Sequence, residues 1–288
     1  MRIDDTWGEK AQEIVKDINA NVLVTSLNRS YSHDECKQFD LIASCTTGTD
    51  HIDNRDIPLI SLRGEIGLLQ DVWATAEHTM ALILSLVRHI PAAFEDVKQG
   101  NWKRENWQGS ELRGKTLGIV GYGRVGRQVA KLADGFGMKV HGVDIKPSSG
   151  GDFDEDEYKR TFKFVLKESD IVTVHVPLNE STRGMFGAEQ FRLMKPTTYF
   201  INTSRGAVVD EDALLKVLDN SLIAGAALDV LCNEPNVELI GGLISYADTH
   251  ENLIITPHVS GCTTESRHKT QLFLANKIKE WLNAKGEI

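Results

Sequence analysis

The sequence has little of what marks several classes of protein. Its 288 residues carry 32 lysines and arginines against 41 aspartates and glutamates, so the net charge is −9. A nucleic-acid-binding protein usually carries a basic surface, and this balance argues against one. The longest apolar stretch, near Met80–Val87, is interrupted by Ser85 and is far shorter than the ~20 residues that a membrane span needs. We therefore expect no nucleic-acid partner and no membrane span.

Cysteine is also scarce. The four cysteines lie far apart in the sequence: Cys36, Cys45, Cys232 and Cys262. A disulfide framework is not expected, and a reducing cytoplasm is the predicted location. The first residues, Met1–Asp5, lack the apolar core of a secretory signal, which favours the same location. No metal is expected either, because the nearest candidate ligands, Asp50, His51 and Asp53, have no further ligand at suitable spacing.

What the sequence does contain is a regular alternation of apolar strands and helical stretches. The predicted strands are Asn21–Thr25, Leu41–Ser44, Leu59–Leu62, Thr116–Val120, Lys139–Val143, Ile171–Val176, Tyr199–Thr203, Ile223–Leu228 and Leu253–Thr256. Helices are predicted over Ala11–Ile18, Ala74–Ile90 and Thr263–Trp281, and loops over the polar stretch Asn101–Gly114 and the acidic run Asp154–Glu157. Near-continuous apolar strands between helices indicate an α/β fold, with a parallel sheet covered on both faces.

A glycine loop follows one of these strands. Gly121-Tyr122-Gly123-Arg124-Val125-Gly126 fits G-x-G-x-x-G, and Asp144 ends the next strand, 23 positions after Gly121. The glycines allow a tight turn, a close approach of backbone to pyrophosphate, and close packing of helix on strand. An acidic residue at the position of Asp144 binds the ribose hydroxyls and disfavours a 2′-phosphate, although Lys146 leaves the choice between NAD and NADP open. The loop therefore predicts NAD binding; the alternative is a tight turn without a ligand.

Three polar residues each follow a predicted strand: Arg205, Glu234 and His258. Ligands of open α/β sheets bind outside the carboxyl ends of the strands, so we expect these side chains to converge beside the nicotinamide. Histidine suits the exchange of a hydroxyl proton because its pKa lies near neutral pH. A glutamate would orient that ring, and an arginine would clamp a carboxylate with two hydrogen bonds. The alternatives are a surface arginine, a loop carboxylate and a histidine in an ordinary turn.

Taken together, these motifs resemble the D-isomer-specific 2-hydroxyacid dehydrogenases, and look most like the phosphoglycerate dehydrogenase branch. The similarity runs from about Leu41 to Glu265. It is densest at His175–Leu178, Met194–Pro196, Asn202–Asp210, Ala226–Val230, Glu234–Pro235 and Pro257–His258. The resemblance implies an NAD-dependent oxidoreductase that transfers hydride between NAD(H) and a small anionic D-2-hydroxy or 2-oxo acid.

The resemblance also implies residue roles. Arg205 would bind the substrate carboxylate and the C2 oxygen, and His258 would be the acid/base, paired with Glu234. Backbone amides of Thr46–Asp50, with Thr47 and Gly48 as substrate-binding residues, would hold the carboxylate, unless this is an ordinary glycine turn. The predicted cofactor-binding residues are Gly121, Gly123, Arg124, Val125, Gly126, Asp144, Val176, Pro177, Thr182, Thr203, Ser204, Asp229, His258 and Gly261. Asp229 would hold the nicotinamide carboxamide, and His78 is interpreted as structural rather than catalytic.

The implied architecture has two domains. A Rossmann-type doubly wound parallel sheet, residues 76–261, is inserted in a smaller, flavodoxin-like α/β substrate domain made of residues 1–75 and 262–288. Compared with the family, the chain begins near the helix that follows the usual first strand. Because it ends at Ile288, we expect no regulatory C-terminal domain. A homodimer is expected through the NAD domain, with Trp102 and Trp107 as anchors.

The substrate stays open at this stage. Arg29 and Arg63 would help to bind a phosphate, which favours 3-phosphoglycerate, but they are equally well ordinary surface arginines. Glyoxylate, hydroxypyruvate and a sugar-derived acid are the other candidates. A different class of function, a non-catalytic NAD-binding redox-sensing scaffold, remains the alternative because a fold does not fix a function. The presence of Arg205, Glu234 and His258 together argues against it.

Overall fold

The structure, a computed structural model, describes residues 21–25, 27, 29–144, 155–234, 236 and 241–286, together with residues 9, 13 and 15. Contacts between Cα atoms divide the chain into two units. The smaller unit consists of Met1–Val72 and Gly261–Ile288, and the larger unit is Trp73–Ser260. The predicted helix Ala11–Ile18 lies largely outside the described residues.

Nine strands and ten α-helices are described. The strands are β1 (Val22–Thr25), β2 (Leu41–Ser44), β3 (Leu59–Ile60), β4 (Thr116–Val120), β5 (Lys139–Val143), β6 (Ile171–Val174), β7 (Tyr199–Asn202), β8 (Gly225–Leu228) and β9 (Leu253–Ile255). The helices are α1 (His33–Cys36), α2 (Ile66–Leu69), α3 (Ala74–Val87), α4 (Ile90–Lys98), α5 (Arg124–Gly135), α6 (Glu155–Glu168), α7 (Ala188–Arg192), α8 (Glu211–Asp219), α9 (Gly241–Thr249) and α10 (Thr264–Lys285). In this described part of the chain, no helix is both long and apolar enough to cross a membrane.

The smaller unit is built on three parallel strands in the order β1-β2-β3. Alternate residues of each strand face opposite sides of a sheet. Accordingly, Val22 and Leu41 pack with Leu274 and Ile278 of α10, whereas their neighbours along the strands pack with residues that include Tyr31 and Cys36 on the other side. Thr263 caps the start of α10 by accepting a hydrogen bond from the Ser266 amide, and Gly286 ends the helix in the left-handed conformation.

The larger unit contains six parallel strands in the order β5-β4-β6-β7-β8-β9. On one face Ile119 of β4 packs with α3 and α5, and on the other face Val120 joins a core with residues of α6 and α8. Both faces are therefore covered, which confirms the predicted doubly wound α/β fold of Rossmann type. The chain leaves β4 for β5 on one side and then crosses to β6 on the other, so β4 and β6 flank a topological switch point, where such sheets bind ligands.

Several predicted boundaries were wrong. The predicted helix over Ala74–Ile90 ends at Val87, because His89 takes a left-handed backbone (φ 53°) and a second helix, α4, begins at Ile90 with Pro91 in its first turn. The acidic run predicted as a loop becomes helical at Glu155, where acidic residues complement the positive end of the helix dipole. Strands β3, β6, β7 and β9 end one or two residues earlier than predicted, and β8 begins two residues later. The two compact units divide at 72/73 and 260/261, and the assignment of domains with boundaries at 75/76 and 261/262 stays a prediction.

Candidate functional site

The glycine loop sits at the switch point, between β4 and α5. Gly121 has φ 95°, and a Cβ there would lie 2.6 Å from the carbonyl carbon of His175. A Cβ on Gly126 would lie 2.2 Å from the carbonyl oxygen of Gly121, so helix and turn pack in direct contact. A Cβ on Gly123, by contrast, would meet no atom within 4 Å. Two glycines are thus required by internal packing, and the third leaves space beside the backbone.

That space lies at the start of α5, whose first two residues are Arg124 and Val125. Gly123 is its N-cap residue, and no side chain caps the first turn. Amide N–H groups at such a helix end have no intrahelical acceptor, and the helix dipole favours an anion there. Burial lowers the pKa of the Arg124 guanidinium, which lies within 3.4 Å of Gln128 Oε1. The residues present therefore fit the pyrophosphate of a dinucleotide.

Asp144 directly follows β5, at the position the sequence predicted for a ribose contact. Tyr158 of α6 lies close enough that the carboxylate adds to the effect of burial in raising the pKa of the phenol. The Tyr158 ring stacks on Phe162, with centroids 5.7 Å apart. Lys146 lies outside the described residues.

The other predicted cofactor residues in the larger unit follow β6 and β7. Val176 is buried, and Pro177 begins a turn that the fully buried Thr182 closes by donating a hydrogen bond to the Pro177 carbonyl (2.6 Å). Thr203 and Ser204 are buried, and the Ser204 hydroxyl donates to Asn202 Oδ1 (2.7 Å). The side chains of Thr182 and Ser204 therefore shape the turns that carry them.

A histidine bonded to buried threonines beneath this edge was not predicted from the sequence, where His175 appears only as part of a motif. His175 Nε2 lies 3.0 Å from the Thr173 hydroxyl, and Nδ1 lies 3.5 Å from the Thr203 hydroxyl, which in turn lies 3.0 Å from Thr79 Oγ1 of α3. Burial lowers the pKa of His175 to about 3, so the ring is neutral at physiological pH. The partners lie up to 124 residues apart, and periodicity carries no signal for such contacts.

The structure brings His258 and Glu234 together. His258 Nδ1 lies 2.6 Å from Glu234 Oε1, and the other carboxylate oxygen accepts a hydrogen bond from the Leu231 amide (3.1 Å). Their side chains are 20% and 29% exposed, so the pair is partly shielded from water. His258 also has a left-handed backbone, with φ 53°, which L residues rarely adopt. A glutamate that is hydrogen-bonded to Nδ1 orients the ring and leaves Nε2 as the nitrogen that can exchange a proton with a ligand.

Arg205 lies in the loop after β7, whose shape Asn202 fixes. The Asn202 side chain donates to the Arg205 carbonyl (2.9 Å) and accepts from the Ser204 amide (3.0 Å). The neighbouring Gly206 packs on the turn before Glu234, because a Cβ there would lie 2.0 Å from the carbonyl carbon of Leu231. The loop that carries the arginine and the turn that carries the glutamate are therefore in direct contact.

The turn before Glu234 has a second support, which the sequence reasoning also missed. Glu211, the first residue of α8, accepts a hydrogen bond from the Cys232 amide through Oε1 (2.5 Å). Burial, with a smaller contribution from the charge of Glu234, raises the pKa of Glu211. Burial is also the main reason why the pKa of the Cys232 thiol rises to about 12, so this cysteine is a thiol at neutral pH.

Asp229, at the end of β8, is fully buried, and its carboxylate accepts hydrogen bonds from the hydroxyl of Thr256 (2.5 Å) and the amides of Val259 (2.9 Å) and Ser260 (2.8 Å). His78 Nε2 lies 3.3 Å from the same carboxylate. These contacts differ from the predicted one with a nicotinamide carboxamide, which remains a prediction. Sequence reasoning gave no sign of them, because they depend on how the loop after β9 folds back over β8.

The remaining predicted residues belong to the smaller unit. Thr46 Oγ1 donates to the Gly48 carbonyl (2.6 Å), so the loop containing Thr47 and Gly48 is an ordered turn. Gly261 begins the C-terminal part of the same unit. Arg29 Nη1 lies 2.8 Å from Glu35 Oε1, and the guanidinium lies over the Tyr31 ring, 4.0 Å from its centroid. Arg63 is exposed. The roles proposed for these residues remain predictions.

Comparison with known proteins gives a consistent family. Residues 80–260 match the family model described as the NAD binding domain of D-isomer specific 2-hydroxyacid dehydrogenase. The chain is 38% identical over 290 residues to a glyoxylate reductase of Thermococcus litoralis, which covers 96% of this chain and 83% of that protein. It is 41% identical over 232 residues to a D-3-phosphoglycerate dehydrogenase of Bacillus subtilis, covering 80% of this chain but 42% of the relative. The chain thus spans less than half of that relative.

Solved structures agree with the sequence comparison. A D-lactate dehydrogenase from Aquifex aeolicus, complexed with NAD and lactic acid, superposes with a TM-score of 0.80 at 26% identity, covering 96% of this chain and 93% of that one. An acyclic imino acid reductase in complex with NADPH and D-Arg superposes with a TM-score of 0.73 at 27% identity. It covers 96% of this chain and 88% of the reductase. Proteins of this fold therefore act on more than one class of substrate.

Proposed function

The chain belongs to the D-isomer-specific 2-hydroxyacid dehydrogenase family, whose NAD-binding domain spans residues 80–260, and from this premise we propose that it interconverts a small D-2-hydroxy acid and the matching 2-oxo acid. The observation that carries the proposal is the contact between His258 and Glu234, 2.6 Å long, which follows strands of the same parallel sheet that carries the glycine loop after β4. NAD, when bound, accepts or donates the hydride. Space beside Gly123 and the uncapped start of α5 fit its pyrophosphate.

His258 is proposed as the acid/base. When a hydroxy acid is oxidised, Nε2 takes the hydroxyl proton and the ring becomes positively charged. Glu234, already bonded to Nδ1, stabilises that charge because an ionised acceptor strengthens the hydrogen bond. In the reduction of a 2-oxo acid, the same nitrogen returns the proton to the oxygen.

Arg205 is proposed to bind the substrate carboxylate and to polarise the C2 oxygen. A guanidinium forms two parallel hydrogen bonds with a carboxylate, which fixes the orientation of the acid as well as its affinity. The net charge of −9 repels an anion at long range, so recognition rests on this local cation and on backbone amides such as those of the Thr46–Asp50 loop. The roles of Thr47 and Gly48 belong to the same proposal.

A panel of 2-oxo acids tests the function. Purified protein with NADH is mixed with glyoxylate, hydroxypyruvate, pyruvate and 3-phosphohydroxypyruvate, and NADH absorbance is followed. We expect oxidation with at least one acid and formation of the D-enantiomer wherever the product is chiral. Binding of NADH, seen by fluorescence, without oxidation by any acid would instead favour a non-catalytic redox-sensing scaffold. Running the panel with NADPH, on the wild type and on Asp144→Ser, tests whether Asp144 selects NAD.

The same panel decides between phosphorylated and unphosphorylated substrates. Arg29 is already engaged by Glu35 and Tyr31, which leaves Arg63 as the better candidate for a phosphate. If 3-phosphohydroxypyruvate is a substrate, Arg63→Ala should lower its kcat/KM by about tenfold and leave glyoxylate unaffected. Arg55→Ala is the matched control, because Arg55 is an exposed arginine paired with Asp53.

A homodimer through the larger unit is the proposed assembly, in the cytoplasm, where the four free thiols would stay reduced. Helix α4 has no buried residue in the single chain, and Ile90, Phe94 and Val97 are exposed along it. Trp102 is 85% exposed, whereas the indole of Trp107 donates to Asp96 (2.9 Å) within the same segment. Sedimentation should give a dimer at micromolar concentration, and Phe94→Asp should give a folded monomer.

A further inference from the structure

Helix α3 sends one histidine to the loop that carries the proposed acid/base. His78 Nε2 lies 3.1 Å from Thr256 Oγ1 and 3.3 Å from Asp229 Oδ1. The Thr256 hydroxyl donates its proton to Asp229 at 2.5 Å, and a carboxylate can only accept. His78 must therefore donate from Nε2 to this pair. His78 and Thr256 are 178 positions apart in the sequence, and their contact joins α3 to the end of β9.

Asp229 is the centre of these contacts. Its side chain is fully buried, and burial alone would raise its pKa. Hydrogen bonds from His78, Thr256, Ser260 and Val259 outweigh that effect and hold the pKa below its usual range. The carboxylate is therefore ionised near neutral pH, and every donor to it gains the strength of a bond to a charged acceptor.

The same carboxylate fixes the backbone around His258. Oδ1 accepts from the Val259 amide and Oδ2 from the Ser260 amide, and the His258 amide donates to the Asp229 carbonyl (2.8 Å). These bonds hold His258 in its left-handed conformation, from which Nδ1 reaches Glu234. A backbone in a sparsely populated region persists only when its surroundings determine it.

The donors differ in origin. Thr256, Val259 and Ser260 all belong to the loop that Asp229 holds, so they move with it. Of the described residues that bond to this carboxylate, His78 alone comes from a different part of the larger unit, the long helix α3. Its side chain is 22% exposed, so it is partly shielded from competing water. His78 therefore ties the carboxylate, and through it the loop, to a rigid helix.

We propose that His78 is a positioning residue for proton transfer: by donating to Asp229 and Thr256, it holds the 256–260 loop so that His258 meets both Glu234 and the substrate. The proposal rests on the proposed function of His258. It differs from a general structural role, because it requires a hydrogen-bond donor at the position of Nε2 and acts on the chemical step more than on cofactor binding.

Three variants test it. His78→Ala removes the donor, His78→Gln places an amide N–H near the position of Nε2, and Glu77→Gln is the control at an exposed neighbour on α3. We expect His78→Ala to lower kcat by about 10- to 100-fold, as for the loss of a hydrogen bond to a charged acceptor, with the Kd for NADH changed less than about twofold. His78→Gln should recover kcat to within about threefold of the wild type. Glu77→Gln should behave as the wild type.

A second readout does not depend on turnover. Amide hydrogen exchange at Val259 and Ser260 should be faster in His78→Ala than in the wild type, and close to the wild type in His78→Gln. If no 2-oxo acid is turned over, the proposed function fails while this measurement still decides whether His78 orders the loop.

Two results would overturn the proposal. One is unchanged exchange or an unchanged kcat in His78→Ala. The other is a loss of kcat, NADH binding and melting temperature together that His78→Gln does not restore, which would show a purely structural role.

Discussion

The two edges of the six-stranded sheet use polar residues in different ways. At the amino edge, Asp170 accepts a hydrogen bond from the Thr116 amide (2.8 Å), and Lys195 bonds both to Asp170 and to the Glu168 carbonyl. These contacts join the starts of neighbouring strands, and most end on backbone atoms. At the carboxyl edge, His258, Glu234 and Asp229 bond to one another's loops and include a left-handed histidine.

The difference shows how one sheet serves two purposes. Polar groups at the amino edge satisfy the strand ends, so their loss should reduce stability. Polar groups at the carboxyl edge hold other side chains in place, at the end of the sheet where ligands bind, so their loss should reduce activity. Four predictions test this difference between the two edges, in order of decreasing effect.

The largest effect is expected from His258→Ala. Removal of a general acid/base typically costs 10²–10⁴-fold, so kcat/KM should fall by about that factor. The Kd for NADH, measured by fluorescence, should change less than about threefold. His250→Ala, a histidine that stacks on Tyr246, is the control and should keep full activity. Turnover near the wild-type rate in His258→Ala would remove the acid/base assignment.

At the amino edge, Asp170→Ala should cost about 2 kcal/mol of stability, because it leaves the half-buried Thr116 amide without its side-chain acceptor and removes one of the two acceptors of Lys195. Asp170→Asn keeps an acceptor and should cost less. Urea unfolding measures both, and kcat should stay within about twofold of the wild type. A large loss of kcat with unchanged stability would contradict the division between the two edges.

His175 sharpens the comparison, because it lies at the carboxyl edge but is half-buried and bonded to threonines of the sheet. Its pKa falls to about 3 in the folded protein, against about 6.5 when unfolded, so the unfolded chain binds more protons between these values. The contribution of His175 to stability should therefore be full only well above pH 6.5 and should decline as the pH falls from about 6.5 toward 3. Between pH 7 and 5.5, wild type should lose about 1.3 kcal/mol more than His175→Gln in urea unfolding. Equal losses would show that this histidine is not held neutral.

The smallest effect is expected at Glu211. Glu211→Gln keeps an acceptor for the Cys232 amide, so kcat/KM should stay within about twofold of the wild type. Glu211→Ala leaves that amide unpaired, and the looser turn around Glu234 should lower kcat/KM by about fivefold. Steady-state kinetics of the two variants distinguish the contribution of the hydrogen bond to kcat/KM from the contribution of the Glu211 charge. A larger loss in Glu211→Gln than in Glu211→Ala would mean that the charge itself is needed.

Much of the fold could be predicted, because buried parallel strands are short apolar runs and the glycine loop has a fixed spacing. The sequence also predicted one shared edge of the sheet for Arg205, Glu234 and His258, since each follows a strand and the carboxyl ends of parallel strands share one edge. The hydrogen-bond partners of Asp229 and His175 could not be predicted from the sequence. They come from distant segments, which meet only once both faces of the sheet are packed. The end of α3 at Val87 depended on one left-handed residue, His89, which propensity does not predict.

The absence of a side chain at Gly206 has a mechanical consequence. Residue 206 packs against the backbone of Leu231 so closely that no space for a side chain remains between the loop of Arg205 and the turn of Glu234. A displacement of the Arg205 loop is therefore expected to displace Glu234, the proposed partner of the acid/base. Redesign of the proposed site should therefore leave residue 206 unchanged and alter side chains around it, since any larger residue there would move the loops of Arg205 and Glu234 together.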